Sequence, residues 1–107
     1  MLSCPKVTLI IPTLNRGEIL CETLSYFFEQ DYPNTEIIVV DQSDDFSAKV
    51  LEFFHQHSNL FKYIQLEKKS LPLARNVGLE HAEGDIIIFC DDDVIPTSEF
   101  ITAHVVN

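Results

Sequence analysis

The chain has few positively charged residues, and this shortage limits the partners that it can bind. Lysine and arginine number 7 among 107 residues, against 17 aspartates and glutamates, and the formal net charge is −10. A nucleic-acid-binding surface needs clustered cations, so the composition argues against a nucleic-acid partner. An anionic ligand would need a metal ion or a few locally placed arginines.

Long apolar runs and paired cysteines are also missing. No apolar stretch approaches the roughly 20 residues of a membrane-spanning helix, and Met1–Lys6 lacks the apolar core of a signal peptide. Cys4, Cys21 and Cys90 are odd in number, far apart and without CxxC spacing. We therefore expect free thiols, a cytoplasmic location and no zinc site.

The chain contains no repeat, low-complexity tract or linker, and its length suits one domain over residues 1–107. Strand-like runs alternate with helical periodicities. The predicted strands are Val7–Ile11, Glu36–Asp41, Phe61–Leu66 and Ile86–Phe89, and the predicted helices are Glu18–Gln30, Ser47–His57, Pro72–Ala82 with Gly84 as its stop, and a last one with Thr97 as its N-cap. This order, β-α-β-α-β-α-β, predicts an α/β fold with a mostly parallel sheet and helices on both faces.

The last predicted strand ends in three consecutive carboxylates. Ile86–Phe89 has β-branched and aromatic side chains without polar alternation, which is typical of a strand buried on both faces of a parallel sheet. Asp91, Asp92 and Asp93 follow at its carboxyl end, where open parallel sheets bind ligands. Three adjacent anions repel one another unless water or a cation screens them, so this turn is a candidate cation site. The alternative interpretation is a solvated acidic turn.

Parallel strands bring their carboxyl ends to one edge of the sheet. That edge should combine the loop Pro12–Arg16, Asp41 and the three aspartates, and Arg75 lies in the first turn of a predicted helix that begins there. Carboxylates, a guanidinium and helix N-termini together suit a metal-bridged diphosphate attached to a polar base. Each element alone is weak, because Asp41 is more often a turn or cap residue, Arg75 a surface ion pair and Asn15 a turn former.

Four segments, in this order, resemble family 2 glycosyltransferases with the GT-A fold. They are Val7–Arg16, Glu36–Ser43, Ala74–Gly78 and Gly84–Asp93. The resemblance implies a Rossmann-like GT-A half-domain with strand order 3-2-1-4. It also implies a nucleotide-sugar donor, usually a uridine diphosphate sugar, bound with Mn²⁺ or Mg²⁺, and inverting transfer to a sugar or glycan acceptor in the full-length enzyme.

The resemblance also implies roles for individual residues. Pro12 and Thr13 would line the nucleoside, Asp41 would hydrogen-bond the base, and Arg75 would lie near the base and phosphates. The last three aspartates resemble the family's DxD motif, whose final carboxylate coordinates the metal. The implied binding set is Pro12, Thr13, Asn15, Arg16, Asp41, Arg75, Asp91 and Asp92, with Asp93 and Asp91 as metal ligands.

Two departures from the family pattern limit this interpretation. Gln42 stands where many relatives have a second aspartate, which leaves the choice of base open. The general base and the acceptor site of such enzymes lie in the second half of a longer domain. We therefore expect a truncated, N-terminal portion whose catalytic base lies beyond residue 107 and which is inactive in isolation. The alternative is a non-catalytic α/β fragment that folds and self-associates through the exposed edge of its last strand.

Two other classes fit less well. A signalling receiver domain has a similar size and an acidic metal pocket, but its paired acids should follow the first strand, where this chain has Pro12 and Thr13. A calcium-binding loop starting at Asp91 would need glycine where Pro96 stands and a bidentate glutamate where Thr102 stands.

Overall fold

A computed structural model describes residues 4–106 as one four-stranded sheet with four helices. The strands are β1 Val7–Thr13, β2 Thr35–Asp41, β3 Lys62–Gln65 and β4 Ile86–Phe89, and the helices are α1 Glu18–Phe27, α2 Ala48–Gln56, α3 Leu71–His81 and α4 Phe100–Val106. All pairings are parallel, in the order β3-β2-β1-β4. The predicted fold class and strand order are confirmed. Met1–Ser3 and Asn107 lie outside the described residues, so the structure does not bear on the signal-peptide prediction for Met1–Lys6.

Alternate side chains of the central strands supply a separate core on each face of the sheet. Leu9 and Ile11 of β1 belong to a larger cluster that includes side chains of α1 and α4, with α2 packed against it. Ile10 points the other way and packs with Ala74 of α3. Period-two alternation of this kind requires apolar side chains on both faces. Helices therefore cover both faces, as predicted.

β4 lies at one edge of the sheet, and the expectation that it is buried on both faces is wrong. Among the described strands it pairs with β1 alone. Only Ile88 of its four residues is fully buried, and Phe89 keeps 44% of its surface exposed. Its side chains reach the cores on both faces, Ile86 and Ile88 the larger cluster and Ile87 the smaller one, but they are incompletely buried because no described strand flanks the outer side of β4.

Two glycines allow close approaches to β1. The small residues Ala74 and Gly78 are buried where α3 packs on the sheet, and a Cβ at Gly78 would lie 2.6 Å from Cγ2 of Ile10. Gly84 does not stop α3, which ends at His81 with Ala82 as its C-cap. A Cβ at Gly84 would instead lie 2.6 Å from the backbone nitrogen of Thr8, so glycine is required there for packing.

The ends of several elements also differ from the predictions. α1 ends at Phe27 and does not reach Gln30, whose side chain bonds the start of α4. Its Oε1 accepts the N–H of Ile101 at 2.9 Å and its Nε2 donates to the carbonyl of Thr97 at 2.6 Å. A side chain distant in sequence thus caps α4, which begins at Phe100, three residues after the predicted cap Thr97.

The predicted starts of two helices, at Ser47 and Pro72, agree with the structure to within one residue. Pro72 lies in the first turn of α3, and Ser47 accepts the N–H of Val50 as the N-cap of α2. Cys4, Cys21 and Cys90 are free thiols. Within residues 4–106, the helices are too short or too polar to cross a membrane.

Candidate functional site

The carboxyl ends of β1 and β4 meet at the acidic turn, which we define as Asp91–Asp93. β1 continues through Pro12 to Thr13, beyond the predicted strand end at Ile11. Proline is tolerated there because β4 pairs with β1 only as far as Ile10. The extra residues place the hydroxyl of Thr13 2.8 Å from Oδ2 of Asp92, to which it donates a hydrogen bond.

Arg16 supplies positive charge to the acidic turn. Its Nε lies 3.4 Å from Oδ1 of Asp92, and its Nη2 lies 3.9 Å from Oδ2 of Asp93. Two of the three carboxylates therefore converge on one cationic group of the protein itself. Arg16 therefore reduces the repulsion between the carboxylates. From the sequence, we expected only water or a bound cation to screen it.

Asp92 is the buried member of the turn, with 8% of its surface exposed. Burial raises the pKa of Asp92 above its ordinary value, and the negative charge of Asp93 adds to the rise, while the Thr13 hydroxyl and Arg16 oppose it. The protein thus stabilises the charge on Asp92 incompletely. A further cation beside this carboxylate would favour its ionised form.

Asp91 is not among the carboxylates that pair with Arg16 in the described residues. It lines a hollow of about 120 Å³ together with Pro12, Leu71 and Arg75, and Asp92 also reaches this hollow. Residues 4–106 contain no group of three histidine, cysteine, aspartate or glutamate side chains that converge as metal ligands. A Mg²⁺ ion needs only one or two protein carboxylates, since substrate phosphates and water complete its shell, so the residues that could hold one are Asp92 and Asp93.

Arg75 faces the end of β4 and lies in the second turn of α3, not in the first turn as predicted, because the helix begins one residue earlier, at Leu71. Its guanidinium carbon is 5.8 Å from the ring centroid of Phe89, over the ring face. The ion pairs found in residues 4–106 do not include Arg75, so its charge has no carboxylate partner within the described part of the chain. An unpaired guanidinium beside a hollow is available to an anion.

A second hollow, of about 390 Å³, adjoins the first. Both are lined by Pro12, Leu71 and Asp92. The larger one adds Thr13, Leu14, Arg16, Gln42 and Lys69. Together they form a continuous lining along the carboxyl edge of the sheet, with Arg75 at one end and Gln42 at the other.

Gln42 holds the loop that leads into α3. Its Nε2 donates to the carbonyl of Lys68 at 2.7 Å and to that of Ser70 at 2.8 Å. Ser70 in turn caps α3 by accepting the N–H of Leu73. An aspartate at position 42 could not donate these bonds, because an ionised carboxylate only accepts. The departure from the family pattern therefore has a structural role here.

Asp41, the last residue of β2, is fully buried. Its Oδ1 accepts the N–H of Ser43 at 2.8 Å and its Oδ2 accepts the hydroxyl of Tyr63 at 2.9 Å. Ser43 then accepts the N–H of Asn15, a residue with φ of 54°. Asp41 thus supports the loop after β1 through Ser43. Burial, followed by the bond to Asp41, raises the pKa of Tyr63, which stays protonated as a donor.

The edge of the sheet brings together most of the residues predicted from the sequence. Of the predicted residues, those that line the two hollows are Pro12, Thr13, Arg16, Arg75, Asp91 and Asp92. Asp93 joins them through Arg16, Asn15 lines a neighbouring hollow, and the buried Asp41 is connected to Asn15 through Ser43. Their roles toward a ligand stay predictions.

Sequence reasoning missed Ser43, Tyr63 and Ser70. Only Ser70 left a signal, because serine two residues before Pro72 is typical of a helix N-cap. Cys90, next to the acidic turn, is no candidate nucleophile, since burial and then the charge of Asp91 raise the pKa of its thiol to about 12.

The sequence matches the family model described as glycosyl transferase family 2 over residues 8–105. The chain belongs to this family. Among curated relatives, glycosyltransferase GlyA of Streptococcus pneumoniae serotype 4 is 36% identical over 94 residues, which are 87% of this chain and 14% of GlyA.

Solved glycosyltransferases of the GT-A fold share the architecture. TarS 1–349 of Staphylococcus aureus in complex with UDP-GlcNAc superposes with a TM-score of 0.81 at 31% identity, covering 94% of this chain and 30% of that one. Mannosyltransferase PcManGT of Pyrobaculum calidifontis, in complex with GDP-Man and Mn²⁺, gives a TM-score of 0.85 at 31% identity, covering 96% and 32%. The chain therefore spans about a third or less of each of these proteins.

Proposed function

We propose that this chain binds the nucleoside diphosphate part of a sugar donor, with a divalent metal, along the two hollows at the carboxyl edge of its sheet. The observation that carries the proposal is the convergence of Asp92 and Asp93 on one cation beside an unpaired Arg75. A diphosphate needs positive charge from both a metal and arginine side chains. In a protein of net charge −10, such charge has to be local.

The metal would lie at the acidic turn. Asp93 and Asp92 are oriented toward a shared cation, and Asp93 is the ligand that the family resemblance also implies. Asp91, the second metal ligand implied by the resemblance, lines the smaller hollow, where it would contact the ribose or metal-bound water. When bound, the metal would stabilise the negative charge that develops on the leaving diphosphate.

The base would occupy the larger hollow, between the loop after β1 and Gln42. We propose a uridine nucleotide, and the UDP-GlcNAc complex of TarS supports this choice. PcManGT binds GDP-Man, so guanosine diphosphate is the informative competitor. Transfer of the sugar to an acceptor, with inversion, belongs to this proposal as the activity of a longer enzyme, whose general base is not among these 107 residues.

Calorimetric titration tests the donor site directly. Uridine diphosphate is titrated into the 107-residue chain with and without Mn²⁺, and the titrations are repeated with Asp93→Asn and with Glu22→Gln. We expect Mn²⁺-dependent binding that weakens more than about tenfold in Asp93→Asn, because a charged ligand contact is lost. Glu22 is an exposed residue of α1, and its substitution makes the same change in net charge.

The two variants separate a specific site from general electrostatics. Equal affinities for Asp93→Asn and the unchanged protein would contradict the assignment of the metal to Asp93. Equal weakening in Glu22→Gln would mean that net charge alone governs binding. Tighter binding of guanosine diphosphate than of uridine diphosphate would reject the choice of base.

We propose as a second function that the chain self-associates through the outer edge of β4. The observation in its favour is that β4 has a partner on one side only within the described chain, with Phe89 exposed beside it. Unpaired strand edges recruit other strands. In sedimentation velocity we expect concentration-dependent dimers that Phe89→Lys abolishes. Leu51→Lys, at an equally exposed position on α2, should leave them intact. A monomer at high concentration would overturn this proposal.

A further inference from the structure

The acidic turn is already paired with Arg16, a cation of the protein itself. The Arg16 side chain is the exposed partner in this contact and has room to change its conformation. The Arg16 side chain keeps 45% of its surface exposed, while that of Asp92 keeps 11%. The backbone next to Arg16 is held, because Ser43 accepts the N–H of Asn15. Asp92 is also held, by Thr13 at its other oxygen. Any rearrangement at this contact therefore falls on the arginine side chain.

We propose that Arg16 is an internal counter-ion that a divalent metal displaces from Asp92 and Asp93, and that the released guanidinium then binds the diphosphate. The inference rests on the proposed function, because it requires both the metal and the diphosphate at the acidic turn. It adds a regulatory role for this residue: Arg16 makes the binding of one ligand depend on the other.

Displacement follows from geometry and charge. A divalent ion lies about 2.0–2.6 Å from its carboxylate ligands. The guanidinium nitrogens lie 3.4 Å and 3.9 Å from the same carboxylates, so an ion bound there would lie within a few ångströms of a like charge. Like charges at such a distance repel strongly in a partly buried site. Arg16 also lines the larger hollow, where it would meet the phosphates of a bound nucleotide.

The consequence is cooperative binding of metal and diphosphate. Without a nucleotide, a metal must break the ion pairs of Arg16 and leave the guanidinium without an anionic partner. With a diphosphate present, the guanidinium gains a new anionic partner as it leaves the old one. By linkage, each ligand then tightens the binding of the other by the same factor.

Mn²⁺ binding, followed by the electron paramagnetic resonance signal of the free ion, tests this without any activity measurement. The proteins are the unchanged chain, Arg16→Gln and Lys49→Gln, each with and without uridine diphosphate. Lys49 pairs with Glu18 at 3.4 Å on the surface of α2, so its substitution removes the same charge from another part of the molecule. Circular dichroism confirms that each variant is folded.

Without nucleotide, we expect Arg16→Gln to bind Mn²⁺ about fivefold more tightly than the unchanged chain, the scale of a lost competing ion pair. Lys49→Gln should stay within about twofold. Uridine diphosphate should tighten Mn²⁺ binding in the unchanged chain by a larger factor than in Arg16→Gln, which lacks the guanidinium that links the two ligands.

The failures of the two ideas are distinguishable. Equal or weaker Mn²⁺ binding in Arg16→Gln would overturn the counter-ion role, even if uridine diphosphate tightens Mn²⁺ binding and so supports the proposed function. Tighter binding in Arg16→Gln with no effect of uridine diphosphate in any protein would support the counter-ion role and contradict the donor site. Absence of Mn²⁺ binding in all proteins and conditions would overturn both.

Discussion

The two ends of β1 each place a threonine hydroxyl on a carboxylate, with different results. At the amino end, Thr8 donates to Glu36 at 2.6 Å, and the N–H of Glu83 donates to the same oxygen. Lys6 and Lys62 each pair with both glutamates. Burial opposes the charge on Glu36, but the Thr8 hydroxyl, the Glu83 amide and Lys62 together lower its pKa.

At the carboxyl end, Thr13 and Arg16 contact two of the three aspartates, Asp92 and Asp93, and burial raises the pKa of Asp92. At the amino end, the carboxylates of Glu36 and Glu83 are paired with lysines of the protein itself, and these contacts connect distant parts of the chain. The carboxyl end leaves carboxylates in excess of cations and a guanidinium, that of Arg75, without a carboxylate partner in the described chain. The difference shows how one strand can carry a structural cluster at one end and a ligand site at the other.

The largest expected contrast lies in stability. Glu36→Gln should lower the free energy of unfolding by about 2 kcal/mol, because two hydrogen bonds to a charged acceptor are weakened and both lysines lose a partner. Asp92→Asn should change it by less than about 0.5 kcal/mol, since the lost pair with Arg16 is offset by removal of a charge whose burial is costly. Urea unfolding at neutral pH measures both values. Equal losses in the two variants would break the comparison.

The pH dependence of Glu36→Gln tests whether its effect on stability comes from the charge of Glu36. The folded state lowers the pKa of Glu36 from a reference of 4.5. The stabilisation is therefore fully present above pH 4.5 and is lost as the pH falls through the lower, folded value. The difference in unfolding free energy between the unchanged chain and Glu36→Gln should shrink on acidification through this window. A difference that stays constant from neutral pH to pH 3 would show that Glu36 acts by packing and not by charge.

Element types and the place of the site followed from the sequence, for physical reasons. Runs such as Val7–Ile11 and Glu36–Asp41 have few stable alternatives to a buried strand, and parallel strands bring their carboxyl ends to one edge. The parallel arrangement alone therefore predicts that Asp41, Arg75 and the acidic turn lie near one edge of the sheet.

Side-chain partners did not follow from the sequence. Thr13 and Asp92 are 79 positions apart, and Gln30 reaches Ile101 across 71, so neither bond leaves a local periodic signal. The exposure of Phe89 in β4 did not follow either, because a short apolar run has the same composition in a central strand and in an edge strand. The charge balance at Arg16 depends on such distant contacts, and it decides how the site responds to a metal.

The smallest expected effects separate the two kinds of cation. Lys62 holds Glu36 at 3.1 Å, so Lys62→Gln should lower the melting temperature and leave the affinity for uridine diphosphate with Mn²⁺ unchanged. Arg75 contacts the Phe89 ring at 5.8 Å, an interaction worth only about 0.5–1 kcal/mol at an exposed site. Arg75→Gln should therefore alter stability by less than about 1 kcal/mol but weaken nucleotide binding about fivefold, because an unpaired guanidinium is lost. Thermal unfolding and calorimetry on both variants provide the test. A nucleotide affinity that depends on Lys62 and not on Arg75 would place the ligand at the amino end of β1 and contradict the proposed site.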